Sequence, residues 1–151
     1  MADMILEPFA AHLFFAFPDP KRIGEWTEIL MRFLETSAML CEESGPCVIG
    51  HIKGLALLNG NRYVRVSVIS PSLPAQVETN ASGDLAEMTV TLNMLVYGLS
   101  KKGLEGIVKE TAAGTGTAWC GRVTVEPVEP TIPGDHPGHH MSAKWNHREQ
   151  K

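Results

Sequence analysis

Residues 85–99, LAEMTVTLNMLVYGL, set Met88, Val90, Leu92, Met94 and Val96 two residues apart, with Glu87, Thr89, Thr91 and Asn93 between them. Successive side chains of a strand point to opposite faces, so this run dictates a long strand with one apolar and one polar side. An apolar strand face must be covered, which commits the chain to a sheet with helices packed on one side.

The stretch CVIGHIKGLALL (47–58), an Asn-Gly pair at 59–60 and RYVRVSVIS (62–70) read as an antiparallel hairpin. Both residues of the Asn59-Gly60 pair accept the positive φ of a type I′ turn. HLFFAF (12–17) is a short apolar run of strand length, and WCGRVTVEPV (119–128) is a last strand. PSLPAQVETNASGD (71–84), with two prolines and a polar end, reads as a long loop.

Two helices fill the remaining segments. Asp19 is a suitable N-cap and Pro20 a suitable first helical residue. Ile23, Trp26, Leu30, Phe33, Leu34, Ser37 and Cys41 then recur at helical spacing over about six turns. Gly45 and Pro46 supply the stop. Ser100 caps a second helix with an apolar stripe of Leu104, Ile107, Val108 and Thr111, and Gly114 stands where a C′ residue belongs. Gly103 and Gly106 inside it each cost about 1 kcal/mol against alanine, which predicts close packing there. The order β-α-β-β-β-α-β describes an α+β domain that resembles the ferredoxin-like plan with one additional strand, a mainly antiparallel sheet bearing two helices on one face. Element order carries no activity with it.

Several functional classes are disfavoured at this level. A formal charge of −4 gives no basic field for a polyanion, and no Lys/Arg run exceeds two residues, so nucleic-acid binding is not expected. AHLFFAF near the start is far below the ~20 residues of a membrane span and lacks a basic flank, so the expectation is a cytoplasmic protein without a membrane partner. Three cysteines are poor material for a disulfide framework. Cys41 falls on the apolar stripe of the first helix, and a bridge to Cys47 would require a suitable Cα separation. Cys47 and His51, four residues apart on one strand, lie some ~13 Å apart and form no nucleophile pair.

Sorting the strands by parity brings His51, Lys53, Tyr63, Arg65, Ser67, Thr89, Thr91 and Asn93 to the face away from the helices. This face is the candidate site. Arg65 and Lys53 could hold the carboxylate or phosphate of a small anionic ligand, with Tyr63, Ser67 and Thr91 lining it and His51 exchanging a proton. The plainer reading is a solvated face, or one that pairs with another copy, since one-sided antiparallel sheets ordinarily alternate this way. An RNA-binding sheet needs a platform of aromatics, and the three central strands offer Tyr63 alone.

Residues 127–151 differ in composition from the domain at 1–126, being rich in Pro, Gly and His. His136, His139, His140 and His147 could bind a divalent metal such as Zn, Ni or Cu, with Asp135 near them. The expectation is therefore a non-enzymatic binding or accessory module, homo-oligomeric through sheet face or edge. The alternatives are a metal-handling protein using the tail, or a small enzyme with His51 as acid/base and Arg65 or Lys53 as anion holder.

Overall fold

The structure, a computed structural model, describes residues 5–130, so the tail histidines and their proposed metal lie outside the described residues. The elements in chain order are β1 (Phe9–Arg22), α1 (Ile23–Ser44), β2 (Val48–Leu57), β3 (Tyr63–Val68), β4 (Gln76–Thr79), β5 (Asp84–Tyr97), α2 (Lys101–Trp119) and β6 (Arg122–Val128). The strands form one six-stranded sheet in the order β4-β3-β2-β5-β1-β6, and every neighbouring pair is antiparallel. The fold is thus α+β, with both helices packed on one side of the sheet.

The predicted alternation is realised in full along β5, where Met88, Val90, Leu92, Met94 and Val96 are buried. Ile52 and Ala56 on β2, Val64, Val66 and Val68 on β3, and Phe9, Ala11, Leu13 and Phe15 on β1 bury toward the same core. All seven stripe residues expected on α1, and all four on α2, are buried. Trp26 contacts Phe15 and Phe17 edge-to-face, and Phe33 contacts Phe15 likewise. Each such pair contributes about 0.5–1.5 kcal/mol beyond its buried area. The indole N–H of Trp26 donates to the Leu85 carbonyl at 2.9 Å, so the ring is buried with its polar atom satisfied.

The first strand is longer than expected and the first helix starts later. Asp19 and Pro20 do not start the helix; residues 18–22 continue β1, with Lys21 opposite Leu85 and Arg22 opposite Asp84 after an irregularity beginning at Ala16, and Arg22 is the N-cap. Pairing of β1 with β6 ends at Ala16, so Pro18 and Pro20 lie beyond it, in the irregular stretch where a missing N–H costs no ladder bond. The helix start is instead held by the Glu25 carboxylate, which accepts from the Arg22 N–H at 3.2 Å, and by the Ile23 N–H donating to the Gly83 carbonyl at 3.1 Å.

The hairpin forms, but its positive-φ residues are Gly60 (72°) and Asn61 (61°), one position later than the Asn-Gly pair suggested. Asn61 tolerates the left-handed region, and the Asn80 side chain secures it by donating to the Asn61 carbonyl and accepting from the Tyr63 N–H. The supposed loop 71–84 contains β4, a sixth strand that pairs antiparallel with the outer side of β3, with Arg65 opposite Glu78 and Ser67 opposite Gln76. Four residues are too few for a periodic signal.

The second helix runs past Gly114 to Trp119 and takes Trp119 out of the last strand. It ends where Cys120 turns left-handed at φ 57° and the Gly121 N–H donates to the Gly116 carbonyl at 2.9 Å. A Cβ at Gly121 would overlap the Phe17 ring and the Ala16 carbonyl, which explains glycine there. The expected close packing at Gly106 is absent: a Cβ would meet nothing within 4 Å.

Gly106→Ala should therefore stabilise the fold by about 0.5–1 kcal/mol, read as a higher urea midpoint with unchanged slope. Gly121→Ala should destabilise it by about 1–3 kcal/mol through overpacking against Phe17, measured in the same titration.

Candidate functional site

Directly opposed residues of antiparallel strands carry their side chains on the same face. Register therefore assembles the uncovered face row by row. One row crosses all six strands: Glu78, Arg65, Leu55, Thr91, His12 and Glu126. The next comprises Gln76, Ser67, Lys53, Asn93, Ala10 and Val128. On the far side of the first row Tyr63 faces Leu57, and Thr89 faces Phe14, which faces Thr124. Toward the other end His51 pairs with Leu95, and Tyr97 with both Val48 and Leu6.

All the residues expected on the open face are brought to it. Thr91, Ser67, Tyr63, Arg65 and His51 are half-buried and Lys53 is exposed. Sequence reasoning missed what stands among them. Leu57 is 68% exposed, Val48 54%, and Phe14 and Tyr97 39% each, so the face is apolar to a degree its polar strand residues concealed. Parity carries this signal for Leu57, which shares its side with Lys53 and Leu55. The same rule extended to β1 and β6 yields His12, Phe14 and Glu126.

Glu78 is the other missed residue, because it belongs to the unrecognised β4. Its carboxylate binds the Arg65 guanidinium and accepts from the Tyr63 hydroxyl at 2.7 Å, while the guanidinium lies 5.7 Å from the Tyr63 ring centroid. The hydrogen bond from Arg65, then that from Tyr63, hold the Glu78 carboxyl below its ordinary value. The bond to Glu78 in turn raises the Tyr63 phenol. The charge of Arg65 is thus engaged within the sheet.

On the opposite side of the face His12 Nδ1 lies 3.6 Å from the Glu126 carboxylate. His51 is held below its ordinary pKa by burial first and by the Lys53 ammonium second, so it is neutral at pH 7. Cys41 is fully buried, and burial aided by the neighbouring Cys47 pushes its thiol up to about 12. The Cys47 thiol, which donates to the Cys41 carbonyl at 3.5 Å, is also raised, so neither is an activated nucleophile. Among the described residues no group of three His, Cys, Asp or Glu side chains is placed to hold a metal ion, and no helix is long and apolar enough to cross a membrane.

Because the folded chain resists protonating His51, the unfolded chain takes up that proton first. Stability should decline as pH falls from the ordinary histidine value of 6.5 toward the lower folded value. His51→Gln should flatten that part of the profile in urea titrations between pH 7 and 5. Glu78→Gln should return the Tyr63 phenol toward its ordinary value, read by ultraviolet titration in a chain with only two tyrosines. Comparison with family models, with curated proteins and with solved structures returns no match.

Proposed function

We propose that the protein is a binding or accessory module whose working surface is the open face of the sheet. The observation that carries this reading is the set Phe14, Leu55, Leu57, Leu95, Val48 and Tyr97, displayed together on a face that no helix covers. Exposed apolar side chains interspersed with polar and charged ones on an uncovered face have the composition of an interaction surface. The β3-β4 hairpin widens the sheet at one edge and so enlarges the open face.

The charges on the face favour a protein partner over a polyanion. Lys53, Arg65 and Arg122 are balanced by Glu78, Glu87 and Glu126. A phosphate backbone would find no net positive field there.

A second reading keeps a small anionic ligand at Lys53. It draws on the electrostatic contact of Lys53 with His51 and on Ser67 and Asn93 standing beside Lys53 in its row. Phosphate and carboxylates should then raise the melting temperature of the wild type and not of Lys53→Ala; no shift with any of them removes this reading.

The docking reading is tested by placing a photo-crosslinking phenylalanine analogue at position 14 in the cell and, as a control, at the exposed Lys102 of α2. A discrete adduct from position 14 and none from 102 is expected. No adduct from position 14 would remove the reading.

A further inference from the structure

We infer that a second copy of the chain binds along the free edge of β4, antiparallel to it, so that two sheets become one. The inference concerns a different surface from the open face and stands independently of that reading.

The free backbone groups of β4 follow from the register. The Leu58 N–H donates to the Arg62 carbonyl, which continues the β2-β3 pairing, so the even-numbered residues of β3 direct their backbone groups to β2. The odd-numbered ones turn theirs to the β4 side, where the Tyr63 N–H donates to the Asn80 side chain. Gln76 and Glu78, opposite Ser67 and Arg65, answer them. Val77 and Thr79 therefore point their N–H and C=O groups away from the sheet. Ala75 does the same, and its N–H is already taken by the Glu35 carboxylate.

The other edge is blunted. The Gly98 N–H donates to the Ile5 carbonyl in the β1-β5 register, so the odd-numbered residues of β1 bond to β5 and the even-numbered ones to β6. The outward positions of β6 are then 123, 125 and 127, and Pro127 has no N–H to offer. β4, with the sequence QVET, carries no such block.

What commits the edge to a second copy is that β4 complements itself. A two-fold axis perpendicular to the sheet keeps both helix layers on one side and pairs residues of equal parity. Centred on Val77, it sets Val77 opposite its twin, Thr79 opposite Ala75 and Gln76 opposite Glu78. Val77 then exchanges both of its backbone groups with its twin, and each Thr79 N–H reaches an Ala75 carbonyl, about four backbone hydrogen bonds in all. On the open side each Gln76 amide donates toward a Glu78 carboxylate. Centred on Glu78 instead, the axis would bring two carboxylates together, which is destabilising. Centred on Gln76, it would set Thr79 against Leu73, in the bend before β4. On the helix side, the exposed Val77 is covered by its twin. Met39, also exposed, lies one turn beyond Glu35 on the same side of α1 and so flanks this edge.

The test uses the full chain. Sedimentation equilibrium at micromolar concentration should give twice the 16.5 kDa chain mass. Gln76→Lys should tighten self-association and Gln76→Glu weaken it, with dissociation constants about tenfold apart because each change is felt twice. Both should fold as the wild type does by circular dichroism, since Gln76 is exposed. Val77→Pro, which removes the N–H at the axis, should abolish the dimer. Lys102→Gln, an exposed site on α2 with the same change of charge as Gln76→Glu, should leave it intact. A monomeric wild type, a folded Val77→Pro chain that still dimerises, or a Gln76→Lys chain that associates no more tightly than Gln76→Glu would overturn the inference. None of these results bears on the adduct from position 14, which lies on β1, so the open-face reading stands or falls separately.

Discussion

Strand β5 must satisfy two different surroundings at once, and the remaining elements are arranged around that demand. It pairs with β1 on one side and with β2 on the other, so it joins the two halves of the sheet. Its even-numbered residues from Met88 to Val96 are almost wholly removed from water. Burying one such side chain is worth about 1.5–3 kcal/mol, and that gain exists only if α1 and α2 lie on the same side. The odd-numbered residues are then necessarily on the other side, whatever that side does.

The helices are fixed to the sheet by contacts of different kinds. Trp26 closes the aromatic cluster over β1 and ties α1 to β5 through the Leu85 carbonyl. Further along, the buried Ser37 hydroxyl donates to the Thr111 hydroxyl oxygen at 3.2 Å, and the Thr111 hydroxyl in turn donates to the Ile107 carbonyl at 2.9 Å. This chain of hydroxyl bonds lets α1 and α2 touch through small polar side chains whose donors are both used. The Glu35 carboxylate accepts from the Ala75 N–H at 2.8 Å and holds the approach to β4 against α1. The edge hairpin that supplies Glu78 to the open face is thereby anchored from the covered side.

Long periodic segments were legible in the sequence because burial enforces the period. The stripes of α1 and α2 and the alternation of β5 needed no knowledge of their neighbours. Boundaries were not legible, because there local chemistry competes with pairing. Asp19 and Pro20 satisfy the rules for a helix start, yet β5 extends far enough to pair with Lys21 and Arg22 and keeps the strand going. Gly114 satisfies the rule for a stop, yet the helix gains further burial at Gly116 and continues. The polar members of the open face on β2, β3 and β5 were found by parity alone, whereas Glu78, His12 and Glu126 were not. Its apolar members were hidden because Leu57 stands at a strand end beside the turn, and because β1 reads as an apolar run in which Phe14 looks like core.

The arrangement of charge limits what the face can do. Arg65, the strongest anion-binding side chain on it, is bound to Glu78, and Glu78 is held ionised by that bond and by Tyr63. An incoming carboxylate would have to compete with an intramolecular one already in place. Exposed pairs of this kind add little stability, but they fix the Tyr63 and Arg65 side chains and reduce the ordering cost of an incoming surface. At the opposite edge His12 Nδ1 lies 3.6 Å from the Glu126 carboxylate. On the docking reading proposed above, the Arg65–Glu78 border would set orientation, and Phe14, Leu55 and Leu57 would be the apolar side chains a partner covers.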